Sequence, residues 1–129
     1  NGFDNVQIYV PNSDTWLTNG ISPMPLARGG MGRAVFIPNT NEFYIMGGET
    51  LNGNGATPNR VFARIDIYHT LMNTWKTSET NMPTPRHGIY PVGRSVSDDF
   101  EIMVAGGGTV AGFSQSSVFE VLRVNIGIS

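Results

Sequence analysis

The chain has 129 residues, of which 40% are hydrophobic and 14% are charged, a composition typical of one globular domain that excludes a disordered segment. The formal net charge is −2, so the chain lacks the excess of positive charge that is typical of nucleic-acid-binding domains. No cysteine occurs, which excludes disulfides and thiolate metal sites within these residues. No apolar run approaches the ~20 residues of a membrane-spanning helix. The sequence therefore predicts neither a nucleic-acid partner nor a membrane span.

The first predicted element is a hairpin built from NVQIYV (residues 5–10) and DTWLTNG (residues 14–20). Polar and apolar side chains alternate in the first segment, which predicts a strand with one buried face. Residues 11–14, Pro-Asn-Ser-Asp, supply a tight reversal. The chain thus opens on two antiparallel strands.

Four strands are predicted next, between residues 23 and 80. They are MGRAVFIP (31–38), EFYIMGG (42–48), RIDIYH (64–69) and NTWKTSE (73–79). The second of them stops at the pair Gly47 and Gly48, and a polar loop (residues 49–61) follows. The third alternates with period two, which predicts one buried face and an exposed Asp66 on the other.

The last part of the chain predicts three strands: GIYPVGRS (88–95), FEIMVAGG (100–107) and VFEVLRV (118–124). Asp98 and Asp99 fill the hairpin between the first two, and a long loop (residues 109–118) precedes the third. By the same alternation, Glu120 is expected to be exposed. Helical periodicity is absent throughout, so the predicted fold class is all-β.

An internal repeat of nearly sixty residues connects these segments. The paired positions are Tyr9 and Tyr68, Trp16 and Trp75, and Gly47 and Gly106, each 59 residues apart, and Arg28 and Arg86, 58 residues apart. A weaker third copy places Leu122 at the tyrosine position, 54 residues after Tyr68. A four-stranded unit at this period, with paired glycines, is the sequence form of a propeller blade.

As a set these motifs resemble the kelch-repeat β-propellers. The matching positions are the diglycines Gly47-Gly48 and Gly106-Gly107, the aromatic pairs Tyr9 with Trp16 and Tyr68 with Trp75, and the segments Arg28-Gly29 and Arg86-His87-Gly88 ahead of the first strands. The closing segment further resembles the last blade of secreted or microbial kelch proteins of the galactose-oxidase-like group. The Tyr-Asp-Pro usual in the family is absent from both copies, and the third copy loses both aromatic residues.

This resemblance implies four-stranded antiparallel blades that belong to a larger ring. Residues 1–22 would end one blade, residues 23–80 would form a complete blade, and residues 81–129 would form a last blade without its outer strand. Propellers typically need four to eight blades to close, so the uncovered blade faces require neighbours. Those neighbours are expected to be the remaining blades of the same propeller or other chains.

A binding site is expected on the face that carries the two long loops, because function in such folds concentrates in loops. The candidate ligand-binding residues are Arg28, Glu49, Asn52, Asn54, Arg86 and His87. For the two arginines, a structural role within each blade is favoured over a ligand contact. For His87, a packed and hydrogen-bonded ring is favoured over a base or a metal ligand. The diglycines and the Tyr–Trp pairs are expected to be structural.

The predicted function is a binding or structural interaction module with a protein or glycan partner. No catalytic residue, metal site or cofactor is predicted, and no Ser/His/Asp triad has supporting spacing. The resemblance leaves two enzymatic alternatives: a copper-radical oxidase, whose cysteine is missing here, and a sugar mutarotase that would use Arg28, Glu49 and Arg86. The same resemblance favours an extracellular location.

Overall fold

A computed structural model describes residues 2–51 and 56–126 of the chain. Within them lie nine β-strands: β1 (Ile8–Val10), β2 (Thr15–Leu17), β3 (Val35–Ile37), β4 (Glu42–Met46), β5 (Ile65–His69), β6 (Thr74–Thr77), β7 (Val92–Val96), β8 (Asp99–Ala105) and β9 (Phe119–Asn125). None of the described residues is helical, so no helix among them is long and apolar enough to cross a membrane. The predicted all-β fold is confirmed.

The strands form three antiparallel sheets whose strand order is the chain order. The first sheet is β1-β2, the central sheet is β3-β4-β5-β6, and the last sheet is β7-β8-β9. Within each sheet, every strand pairs with the next one along the chain, which is the meander of a propeller blade. The sheets are therefore those of one four-stranded blade flanked by two partial blades.

The main core lies where the central and last sheets meet. Its buried side chains come from both sheets and from the segment between them: Val35, Ile37, Tyr44, Met46, Ile65, Ile67, Met82, Ile89, Phe100, Ile102 and Val104. Gly93 permits the close approach, since a Cβ there would lie 2.4 Å from the Phe100 ring and 3.0 Å from Val35. Packing between blade faces thus supplies the stability of this part of the chain.

The diglycines follow β4 and β8 and have left-handed backbone conformations. Gly48 has a φ of 112° and Gly107 a φ of 87°, where a residue with a Cβ is strained. A Cβ on Gly48 would also lie 2.7 Å from the Gly29 carbonyl oxygen, and one on Gly107 would lie 2.7 Å from the His87 carbonyl oxygen. The glycines therefore let the segment ahead of each first strand pass close to the end of the second strand.

The Tyr–Trp pairs lie directly opposite one another across the β1-β2 and β5-β6 hairpins. Their ring centroids are 5.3 Å apart for Tyr9 and Trp16 and 5.1 Å apart for Tyr68 and Trp75. Such tilted cross-strand aromatic pairs stabilise a hairpin. Each tyrosine hydroxyl also donates to the turn of its own hairpin, at Asp14 in the first sheet and at Asn73 in the central sheet.

Candidate functional site

The segments ahead of the first strands lie beside the loops that follow the diglycines. Gly29 and Glu49 exchange backbone hydrogen bonds of 3.1 and 2.7 Å, and His87 and Gly108 exchange bonds of 3.0 and 2.9 Å. We call the surface formed by residues 49–51, 56–61 and 109–118 the loop face. Asn52 and Asn54, two of the predicted binding residues, lie outside the described residues.

The two loops of the loop face are also joined to each other. The Ala111 amide donates to the Asn59 carbonyl over 2.9 Å, and the Gly112 amide donates to Glu49 Oε2 over 2.6 Å. The second bond connects a backbone group of one blade with a side chain of the neighbouring blade. The loop face is thus one continuous surface that spans two blades.

Arg28 extends from this region into the interior of the central blade. Its side chain is fully buried and forms an ion pair with Asp66 over 2.8 Å. The Nε atom donates to the Gly47 carbonyl over 2.7 Å. Burial lowers the pKa of Arg28, and the charge and hydrogen bond of Asp66 oppose that effect.

Asp66 is buried, which corrects the prediction that it is exposed. Arg28 and Arg64 both pair with its carboxylate, and the Thr77 hydroxyl donates to it over 2.8 Å. Burial alone raises the pKa of Asp66, but the hydrogen bonds from Arg64 and Thr77 and the charges of both arginines outweigh it. The pKa is therefore held below its ordinary value. Alternation along β5 correctly places Asp66 on the face opposite Ile65 and Ile67, but both faces of this strand are buried.

Arg86 repeats this arrangement in the last blade. Its buried guanidinium pairs with Glu120 over 2.9 Å and donates to the Gly106 carbonyl over 2.7 Å. Glu120 also accepts a hydrogen bond of 2.6 Å from the Thr84 hydroxyl and is only partly exposed, so its expected exposure is likewise corrected. In each blade the arginine joins the diglycine to an acidic residue of the third strand.

The ligand contact of Arg28 and Arg86 stays a prediction. A ligand that reached either guanidinium would have to displace the paired carboxylate, which is buried for Arg28 and partly exposed for Arg86, and the carbonyl of a diglycine. Leaving a buried charge without its partner costs several kcal/mol, about 3–5 in measured cases. The position of both side chains therefore favours structural roles.

Two further candidates, Glu49 and His87, meet at the loop face. His87 Nδ1 lies 3.4 Å from Glu49 Oε1. The other ring nitrogen, Nε2, lies 2.8 Å from the Val110 carbonyl oxygen and 3.4 Å from the Ser114 hydroxyl. Groups from both loops of the loop face thus converge on one histidine.

Glu49, His87 and Ser114 lie next to one another as the acid, histidine and hydroxyl of a hydrolytic triad do, but their hydrogen bonds do not fit the mechanism of such a triad. The Val110 carbonyl accepts hydrogen bonds only, so His87 Nε2 must carry a proton to bond with it. That nitrogen is then unable to take a proton from Ser114, as nucleophilic catalysis requires. The Ser114 hydroxyl instead donates to the Val110 carbonyl. Sequence reasoning missed this serine because only the fold of loop 109–118 brings it to the histidine.

A comparison with curated proteins finds similarity to Kelch-like protein terF from Aspergillus terreus. It is 33% identical to this chain over 111 residues, which are 86% of the chain and 22% of the relative. Together with the blade arrangement and the repeated motifs, this decides the family. The chain belongs to the kelch-repeat family. No family model matches.

These kelch blades span about a fifth of the relative's length. The galactose-oxidase-like subgroup and the position of the blades within a longer protein stay predictions. In residues 2–51 and 56–126, no group of three or more His, Asp or Glu side chains is arranged to hold a metal ion.

The outward side of the kelch loop face carries apolar side chains. Phe113 is fully exposed, and Leu51 and Val110 are also exposed. Arg60 is also exposed and follows Asn59, whose carbonyl accepts from Ala111. The loop face therefore carries an exposed aromatic side chain and an exposed cation, and neither feature was among the predicted binding residues.

Proposed function

We propose that these kelch repeats are an interaction module that binds a protein partner through the loop face, with Phe113 as the central contact. The single observation that carries this proposal is a fully exposed phenylalanine on a loop that is fastened to the neighbouring blade. An exposed aromatic ring is unfavourable in water, and its burial against a partner contributes roughly 1.5–3 kcal/mol.

The fastening of the loops supports binding in a second way. Association is opposed by the entropy lost when interface residues become ordered. Here the bonds from Ala111 and Gly112 to the adjacent loop already restrict the chain directly before the tip. The loop therefore loses less conformational entropy when a partner binds, so a larger share of the contact energy contributes to affinity.

The partner is expected to present an apolar pocket with a nearby carboxylate. Phe113, Leu51 and Val110 supply apolar contacts, and aromatic residues are enriched at the centres of interfaces. Arg60 supplies a cation that pairs with a carboxylate in a fork geometry. A protein surface offers both features together, which favours a protein over a glycan.

The uncovered blade faces have a second, structural role in this proposal. Phe119 and Val121 lie exposed along one face of β9, and Tyr9 and Trp16 lie exposed on the first hairpin. Large exposed apolar patches mark surfaces that pack against something else. Neighbouring blades of the longer protein are the proposed occupants.

Protein and glycan arrays probed with the full-length protein test the proposed function. Phe113→Ser is expected to lose most binding to the protein array. Leu71→Ser is the matched control, because Leu71 is equally an exposed apolar residue but lies in the β5-β6 turn, on the opposite side of the blade. Undiminished protein binding by Phe113→Ser, or binding to the glycan array alone, would contradict the proposal.

A further inference from the structure

The two ring nitrogens of His87 each face a group that only accepts hydrogen bonds. Nδ1 faces a carboxylate oxygen of Glu49 at 3.4 Å, and Nε2 faces the Val110 carbonyl oxygen at 2.8 Å. A neutral imidazole carries one N–H, whereas an imidazolium carries two. Only the charged ring forms an ion pair with Glu49 while it donates to Val110.

Loss of the second proton removes the ionic attraction from one of these contacts. Val110 holds the remaining proton on Nε2, because its carbonyl is the closer acceptor. The neutral ring then lies beside the negative Glu49 carboxylate with no charge to pair with it. Glu49 keeps its bond from the Gly112 amide but loses the cation that faces its other oxygen.

The surroundings of His87 contain one charged partner among the described residues, which is Glu49. The other groups that contact the ring are neutral: the Val110 carbonyl and the Ser114 hydroxyl. The adjacent Arg86 side chain is directed into its own blade, where Glu120 pairs with it. The charged group that pairs with His87 is therefore the Glu49 carboxylate.

His69 has the opposite arrangement and serves as an internal control. It is the second of the two histidines in the chain and lies at the end of β5, away from the loop face. Its Nδ1 accepts a hydrogen bond of 3.2 Å from the Met72 amide, so that nitrogen carries no proton. Protonation of His69 breaks a contact, whereas protonation of His87 completes one.

We propose that His87 is a proton-dependent fastener between the two loops of the loop face. The charged ring holds Glu49 of the first loop and Val110 of the second, and so orders the segment that presents Phe113. Histidine is the side chain that changes charge between about pH 5 and pH 8. The loop face is therefore more ordered at the acidic end of this range. The consequence for partner binding rests on the function proposed above, but the fastening itself does not.

Hydrogen exchange of backbone amides in the full-length protein tests this proposal without any partner. The Gly112 amide is the reporter, since it donates directly to Glu49. After correction for the intrinsic pH dependence of exchange, its protection is expected to fall about 2- to 5-fold between pH 5.5 and pH 8, the size of a partly exposed ion pair.

Two variants separate the fastener from a general effect of pH. Glu49→Gln retains a carbonyl that accepts from Gly112 but removes the negative charge, so the corrected pH dependence is expected to disappear. His69→Gln is expected to behave as the wild type. An unchanged pH dependence in Glu49→Gln, or constant protection in the wild type, overturns the proposal.

The outcomes also distinguish this inference from the proposed function. A pH-dependent Gly112 amide together with full binding by Phe113→Ser supports the fastener and contradicts the binding role of the loop face. Protection of the Gly112 amide that does not change with pH, together with lost binding by Phe113→Ser, contradicts the fastener and supports the binding role of the loop face.

Discussion

The third strands of the central and last sheets have the same pattern but differ in their surroundings. Ile65 and Ile67 of β5 are 1% and 5% exposed, whereas Phe119 and Val121, at the matching positions of β9, are 60% and 47% exposed. The central strand is covered because the last sheet packs against it. The difference teaches that alternation along a strand defines its faces, whereas the neighbouring blade determines whether a face is buried.

The two aromatic hairpins show the same contrast. Trp75 donates its indole N–H to the Ser22 carbonyl over 2.8 Å, and Asn73 donates to the Gly20 carbonyl over 2.8 Å. The segment that connects the first and central sheets thus covers the second hairpin. Trp16 has no such partner among the described residues and is 61% exposed.

The largest predicted effect breaks the buried pair of the central blade. Asp66→Ala leaves Arg28 buried without its counter-charge and is expected to lower the unfolding free energy of the full-length protein by about 3–5 kcal/mol. Glu120→Ala removes the corresponding acid of the last blade, which is partly exposed, and is expected to cost less.

Chemical denaturation measures both losses. Asp98→Ala in the exposed β7-β8 turn is the control and is expected to stay within about 0.5 kcal/mol of the wild type. Equal effects of Asp66→Ala and Asp98→Ala would show that the central pair contributes nothing.

Much of the fold follows from the sequence, for physical reasons. The repeat of paired glycines and aromatic residues determines the order of strands, because each recurs at a fixed place in a blade. The extent of β3 was wrong: residues 31–34 were assigned to it, but the strand is Val35–Ile37. Gly32 has a φ of 74° and lies against the Ile89 carbonyl, so the chain there packs against the next blade instead of pairing with β4.

The site was harder to predict, because its contacts join segments far apart in the chain. Glu49 and His87 were chosen for their loops, and the structure brings them together. Ser114 and Val110 were not chosen, since nothing local indicates that loop 109–118 folds back to His87. Asp66 was placed on the solvent side because periodicity contains no information about Arg28, 38 residues earlier.

A smaller predicted effect is the acid sensitivity of the Asp66 pair. The pKa of Asp66 is lower in the folded chain than its ordinary value of 3.8, so the unfolded chain binds the proton more readily. Its stabilising contribution is complete above the unfolded value and is lost as the pH falls through the folded one. Asp66→Asn is therefore expected to show a shallower loss of stability between pH 6 and pH 3, measured by chemical denaturation at each pH. A slope equal to that of the wild type would contradict this assignment.

The smallest predicted effect concerns the two tryptophans. Trp75→Phe keeps an aromatic ring but removes the hydrogen bond to Ser22. The loss of this bond is expected to lower the unfolding free energy by about 0.5–1.5 kcal/mol, in addition to the effect of the smaller ring. Trp16→Phe makes the same change at a position where the described part of the chain provides no such bond, and it serves as the matched control. Thermal unfolding of both variants measures the difference, and equal shifts would argue against the role of the connecting segment.

Hydroxyl-radical footprinting of the full-length protein tests most directly whether neighbouring blades determine burial. Phe100 is a buried reference, and Phe113 is a fully exposed one. If another blade covers the outer face of β9, oxidation of Phe119 will be nearly as slow as that of Phe100, while Phe113 is oxidised rapidly. Oxidation of Phe119 as rapid as that of Phe113 would contradict this account, because that face of the last blade would then have no neighbour.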